Sequence, residues 1–410
     1  MNKKITIIGL LVACLLLFGC EEKFIPADDS QANPEGISAV VNANNQFAFD
    51  LYSRYKNQGN VFFSPCSIST ALAMTYEGAR GQTAEEMKNV FYFPEDNLLR
   101  RSAFARLYNE INKKDKEYRL STANALWAQK DFTFLQEYFN TIDQYYGGKV
   151  TNLDFIGETE KSRKIINDWV EDQTNDKIKD LIPPNAVNSL TRLVLTNAVY
   201  FKGDWVLKFD KRKTTETDFR VSSSKTVQVP MMSLTGEKAK FNYAEDEQLQ
   251  IIELPYEGNE LSMLVLLPKE DNLQALEDSL SPEQLNAWRD TLYETQIDVY
   301  LPKFKLETKY FMAQDLEQMG MPTAFQWPGA DFSGMTGKDD LFISAVIHQA
   351  FVEVNEEGTE AAAATAVVMT MGMAMPNEFR ADHPFIFIIQ QKDTGNILFL
   401  GKITDPSQLE

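Results

Sequence analysis

Apolar positions along this chain recur first with a helical period and later as strand-like runs. Phe47, Leu51 and Tyr55 are spaced four apart, which predicts a helix over 38–56. Ser64-Pro65 supplies an N-cap and a first-turn proline, so a second, apolar helix should start there and end near Gly78. A further helix is expected after Thr83, whose spacing to Glu86 fits a capping box. Strands dominate later. Residues 193–201 are nearly all apolar and read as a strand buried on both faces. Residues 251–254 and 263–267 flank Glu257-Gly258-Asn259 as a hairpin, and 385–389 pairs with 397–400 across Asp393-Thr394-Gly395-Asn396. Helices first, long strands afterwards and few strand–helix–strand alternations indicate an α+β fold with mainly antiparallel sheets.

The 410-residue length would admit two or three domains, but no Pro/Gly/Ser-rich linker interrupts the chain after residue 36, so 37–410 is read as one domain. A net charge of −19 without any Lys/Arg-rich block argues against a nucleic-acid partner. Lys3 and Lys4 precede an apolar run over 5–18, too short for a comfortable membrane span and patterned as a secretory signal to be removed. Leu17-Phe18-Gly19-Cys20 resembles the lipobox of bacterial lipoproteins, in which the cysteine becomes the lipid-bearing first residue. An ordinary signal peptide with an incidental cysteine is the alternative. The lipobox reading makes 1–19 the signal and 20–36, with Pro26, Pro34 and acidic side chains, a lipidated flexible tether. It implies an exported protein anchored through Cys20 to a bacterial membrane, at the cell surface or on the periplasmic side of the outer membrane. Cys14 would leave with the signal, so Cys66 stays alone and no disulfide framework exists. Cys66 reads as a packed small residue rather than a nucleophile.

Enzyme chemistry finds little support. With two histidines, His348 and His383, a His-based triad or metal cluster has few members available, and no G-x-S-x-G, H-E-x-x-H, Walker or G-x-G-x-x-G pattern occurs. The 59 acidic residues read as solvated surface, because carboxylate neighbours in sequence say nothing about a catalytic dyad without geometry. Neither a cofactor nor a metal is expected.

The most informative stretch is 352–368, where local preferences conflict. Val352 and Val354 alternate with Glu353 and Asn355 as at a strand edge, and Gly358 permits a sharp change of direction. Ala361, Ala362, Ala363 and Ala364 favour helix but carry no side chain that would keep the segment from sliding between two strands. From Thr359 to Met375 no proline removes a ladder amide. On its own this window would also fit an Ala-rich linker or a surface helix.

Glu356-Glu357-Gly358-Thr359-Glu360-Ala361-Ala362-Ala363-Ala364 resembles the proximal hinge of inhibitory serpins, a family of suicide protease inhibitors. Four further motifs follow that family's order: Asn60-Val61-Phe62-Phe63-Ser64-Pro65, then 195–205 from Leu195-Thr196-Asn197 to Asp204-Trp205, then Val299-Tyr300-Leu301-Pro302-Lys303-Phe304, then Asp382-His383-Pro384-Phe385. The resemblance spans about 37–406. It implies three mainly antiparallel sheets, eight or nine helices, an exposed reactive-centre loop and a monomer. It also implies a mechanism, in which a protease acylated at the loop is trapped as the cut loop inserts into the main sheet. By the same resemblance Ser64, Ser67, Asn197 and His348 match the shutter beneath the parting strands. Trp205, Lys303 and Glu356 match the point where insertion begins, with Lys303 and Glu356 as an ion pair. His348 also reads as a hydrogen-bonded core histidine.

Strand periodicity adds detail: if Thr359 points inward, so do Ala361, Ala363, Thr365, Val367, Met369 and Met371, while Glu360 faces solvent. Counting forward from Gly358 puts the scissile bond between Gly372 and Met373, and counting back from Asp382 puts it between Met373 and Ala374. Met371, Gly372 and Met373 are therefore all candidates for the acyl residue. No Lys or Arg occurs between Thr359 and Phe379, so elastase-like or subtilisin-like serine proteases, or papain-like cysteine proteases, are the expected targets. Trypsin-like enzymes, whose pocket requires a cation, are not. Two other readings are a non-inhibitory serpin acting as a binding or chaperone-like module, and a surface lipoprotein that binds or degrades glycans.

Overall fold

Leu193–Asp204, the near-continuous apolar run, lies inside a six-stranded sheet, and each of its two faces meets a separate body of core. Leu193 and Leu195 pack into the large helical core, whereas Val194, Ala198 and Tyr200 face a cluster built on Trp127, Ile166 and Val170. Two covered faces explain why the strand shows no polar alternation. The computed structural model describes residues 26–113, 116–269, 272–359 and 377–408.

The six strands run in the order Phe304–Phe311, Ile343–Asn355, Gly358–Thr359, Leu193–Asp204, Tyr118–Gln129, Lys149–Leu153. Most neighbours are antiparallel. The exception at the centre is Ile343–Asn355, which pairs in parallel with Leu193–Asp204 from Ile343 opposite Leu193 to Phe351 opposite Tyr200. Val352 and Val354 are therefore buried in a sheet interior, because Phe304–Phe311 covers their other flank, and they do not form the edge their alternation suggested.

The remaining strands form a ten-stranded assembly. Tyr293–Pro302 belongs to two sheets at once: its first half pairs with Lys240–Glu245 and its second with Lys225–Leu234 and, in parallel, Asn377–Arg380. Counted this way there are three sheets. Both hairpins are present, as Leu249–Pro255 with Leu261–Pro268 and Phe385–Gln391 with Ile397–Ile403.

Ten α-helices occur among the described residues, more than the eight or nine expected, and one is the single turn Ser333–Thr336. The first, Pro34–Tyr55, begins earlier than residue 38 because Asn33 caps it, accepting the Gly36 amide at 2.9 Å. Ser64 caps Pro65–Tyr76 as expected. The capping box at Thr83 is not formed. Helix Gly81–Phe91 starts after Arg80, so Thr83 and Glu86 lie inside it, and the Glu86 carboxylate instead receives the amide and hydroxyl of Thr323.

The stretch taken as tether is shortened by the fold. Asn109, in helix Asn97–Asn112, donates to the Ala27 carbonyl and accepts the Ala27 amide, each at 2.8 Å. The Asp28 amide meets the Gln144 carbonyl at 2.7 Å, satisfying an orphan acceptor in the last turn of Gln136–Tyr145. Ala27 and Asp28 are thus tied to two helices. No helix among the described residues is long and apolar enough to cross a membrane.

Candidate functional site

Beyond Tyr200 and Phe351 the parallel pair separates, and Gly358–Thr359 occupies the gap, antiparallel to both sides. Thr359 lies opposite Val354 and Gly203, and Gly358 opposite Asn355 and Asp204. The chain reverses at Glu356-Glu357 to reach this position. Only glycine fits at 358: its φ is +156°, and a Cβ there would lie 2.1 Å from the Gly203 carbonyl oxygen, which belongs to a paired strand and cannot yield. Thr359 is fully buried, its hydroxyl 2.9 Å from the Tyr256 phenol.

Long-range contacts pin the reversal. The Trp205 indole donates to the Asn355 carbonyl at 3.1 Å, and the Trp205 amide donates to the Glu357 carbonyl at 2.8 Å. The buried Glu356 carboxylate accepts from Lys303 at 3.0 Å and from the Thr214 hydroxyl at 2.8 Å. Burial raises the pKa of this carboxyl, but the bonds from Thr214, its own backbone and Lys303 outweigh that and hold it below the ordinary value. Glu357 pairs with Lys211 at 2.7 Å.

Farther down, where the parallel pair is closed, Asn124, Asn197 and His348 stand in one row across three strands. The Ser64 amide donates to His348 Nε2 at 3.1 Å, so Nδ1 carries the proton and donates to Asn197 Oδ1. The Asn197 amide donates in turn to Ser67 Oγ and Asn124 Oδ1, and Ser64 Oγ donates to the Leu398 carbonyl at 2.6 Å. At this row each strand is thereby tied by polar bonds to the start of the helix beneath, Ser64 and Ser67.

Burial pushes the His348 pKa from 6.5 down to about 3. Between those values the unfolded chain binds a proton that the folded chain refuses. The histidine's contribution to stability is thus complete above pH 6.5 and is lost as the pH falls, by about 1.4 kcal/mol per pH unit. Melting the protein and His348→Gln from about pH 7 to about pH 4 should show a shallower decline in the variant; parallel declines would assign the acid sensitivity to other groups.

The remaining candidates for chemistry are structural. His383 is held between Asp382, at 2.8 Å, and the Pro268 carbonyl, at 2.7 Å. Cys66 is buried, its thiol pushed up to about 11 by burial and contacted by the Asn396 amide at 3.6 Å, which leaves little thiolate at neutral pH. Among the described residues no three His, Cys, Asp or Glu side chains are grouped to hold a metal.

The structure thus brings Glu356, Gly358, Thr359, Trp205 and Lys303 together at the open end of the strand pair, and Ser64, Ser67, Asn197 and His348 at the closed part. Glu360, Ala361 to Ala364, the scissile candidates Met371, Gly372, Met373 and Ala374, and Cys20 lie outside the described residues. Sequence reasoning missed Asn124, Tyr256, Thr214 and Lys211 as members of these networks. Asn124 alone left a trace, as an amide between Ala123 and Ala125 in a strand.

Comparison with known proteins places this arrangement. The family model described as serpin (serine protease inhibitor) matches residues 42–406. A serpin-like protein of Methanosarcina acetivorans is 42% identical over 99% of this chain and 100% of its own. The leukocyte elastase inhibitor of Xenopus laevis is 44% identical over 88% of this chain and 97% of its own. Among solved structures, uncleaved ovalbumin superposes with a TM-score of 0.82 at 33% identity, covering 90% of this chain and 100% of that one. Serpin48 of the insect Tenebrio molitor, described as highly specific, gives 0.79 at 33%, covering 91% and 99%.

Proposed function

Because this chain belongs to the serpin family, we propose that it is an inhibitory member, a suicide substrate that captures proteases by inserting its cut loop between Leu193–Asp204 and Ile343–Asn355. The observation that carries this reading is that Gly358 and Thr359 already form ladder pairs in the gap, with Thr359 inward, directly above the parallel pair that would have to part. The target's nucleophile attacks a carbonyl carbon of the loop, the peptide bond breaks, and the new amino terminus departs with a proton, leaving an ester or thioester to the protease. The freed hinge end then continues downward from Thr359 and draws the acylated protease with it. Fourteen or so residues of strand span roughly 45 to 50 Å.

Each new ladder hydrogen bond contributes about 1 kcal/mol net, so insertion releases on the order of 10 kcal/mol. One oxyanion-hole donor supplies roughly 3 to 4 kcal/mol to a protease. Insertion therefore has enough free energy to distort that site and stall hydrolysis. The cation-free loop favours elastase-like or subtilisin-like targets, and papain-like cysteine proteases share the acyl chemistry; the elastase-inhibitor relatives support the first class. We assign the membrane anchor to a lipid on Cys20.

Mixing the protein without its first twenty residues with elastase should yield a band that resists boiling in detergent, at about the summed mass, while trypsin should yield none. Simple clipping by elastase with no such band would favour the non-inhibitory reading. A covalent trypsin complex acylated within 360–376 would overturn the specificity.

A further inference from the structure

Tyr256 was singled out by no motif, yet its side chain meets the hinge at the residue on which insertion depends. Its hydroxyl is fully buried and has one hydrogen-bond partner among the described residues, Thr359 Oγ1 at 2.9 Å. The ring stacks on Trp205, with centroids 4.5 Å apart and planes 15° from parallel, and meets Phe201 edge-on at 5.0 Å. Gly203 makes this possible, because a Cβ there would sit 3.0 Å from the ring. Gly203 is also the residue that pairs with Thr359. A rigid phenol, clamped by two aromatic neighbours, is thus presented to the first residue that enters the gap.

We infer that Tyr256 is a positioning residue for loop insertion: its hydroxyl recognises the Thr359 hydroxyl, holds the hinge docked and sets the register in which the following residues enter. Register matters because a slip of one residue would turn Glu360 inward and the small residues outward. If the hinge left the gap, Tyr256 would lose its buried partner, so the bond biases the hinge toward docking by about five- to tenfold. Any hydroxyl residue at 359 would satisfy the phenol, and an apolar isostere would not. This role rests on the inhibitory reading for its consequence, but the docking itself can be measured without a protease.

Tyr256→Phe keeps the stacked ring and removes only the hydroxyl. Hydrogen exchange at the Gly358 and Thr359 amides should accelerate at least fivefold in this variant and in Thr359→Val. Thr359→Ser should restore protection, and the double variant should be no worse than either single one. Toward elastase, the number of inhibitor molecules consumed per protease captured should rise several-fold while the rate of loop cleavage and the melting temperature of the intact protein stay nearly constant. A merely structural role would lower the melting temperature and leave that ratio alone. Unchanged exchange in Tyr256→Phe, or additive effects in the double variant, would overturn the proposal whether or not the protein inhibits. Faster exchange in a protein whose unsubstituted form makes no covalent complex would uphold the latch and refute the inhibitory reading instead.

Discussion

Thr359→Arg should convert the protein from an inhibitor into a substrate, with covalent complex falling at least tenfold and clipped product taking its place. Thr359 has no exposed surface and sits between Val354 and Gly203 against the Tyr256 phenol. A guanidinium at that position would have to be buried in the gap between Val354 and Gly203 before any later residue could follow it into the sheet. An unpaired buried charge costs several kcal/mol, and a barrier raised by even 1.4 kcal/mol slows insertion tenfold. Deacylation by the protease is unaffected, so it overtakes. Acylation should also be unaffected, because the nearest scissile candidate, Met371, lies 371 − 359 = 12 residues farther along. A gel time course with elastase checks both halves. Complex formation at the unsubstituted level would mean that inhibition does not require residue 359 to stay buried in the sheet.

The second large effect is thermal. Protein clipped once within the loop should melt on the order of 10 to 15 °C above the intact form. Continuing the observed register past Thr359 sets residue 361 opposite Phe201 and Val352, 363 opposite Val199 and Ala350, and 365 opposite Asn197 and His348. One parallel interface is then replaced by two antiparallel ones, which pair slightly better per residue. The gain on the order of 10 kcal/mol, divided by an unfolding entropy of about 2.1 cal/mol/K per residue, gives the stated interval for a domain of this length. Calorimetry of intact and clipped samples in one buffer measures it. Coincident transitions would show that the intact fold stores no usable energy, and the inhibitory reading would fall with that result.

Much of this architecture was legible because it is encoded locally. The strand at 193–204 announces itself by apolar content, the two hairpins by their turn residues and the helix at 65–76 by Ser64-Pro65. Gly358 was read from its local freedom, whereas Ser64, Ser67, Asn197, His348, Trp205, Lys303 and Glu356 were singled out for the site only through motifs shared with a family. What escaped depends on pairing across long separations. Tyr256 is 103 positions from Thr359 and Thr214 is 142 from Glu356, and neither has a neighbour in sequence that marks it. The capping box at Thr83 failed because the helix starts two residues earlier, at Gly81, and Glu86 inside it receives Thr323, 237 residues away. The segment 26–36 looked like tether because proline and acidic residues are common in linkers, whereas here Asp28 and Asn33 serve as hydrogen-bonding ends for two helices.

That docked N-terminal segment would limit how far an anchored protein could range. If Cys20 carries the lipid proposed above, 27 − 20 = 7 residues separate the acyl chains from the Ala27–Asn109 clasp, a leash of at most about 25 Å. Loop insertion would haul its captive roughly twice that far. An inhibitor of the proposed kind, so anchored, would patrol only the layer of solvent next to its own bilayer, and each capture would leave the disarmed enzyme moored there instead of released.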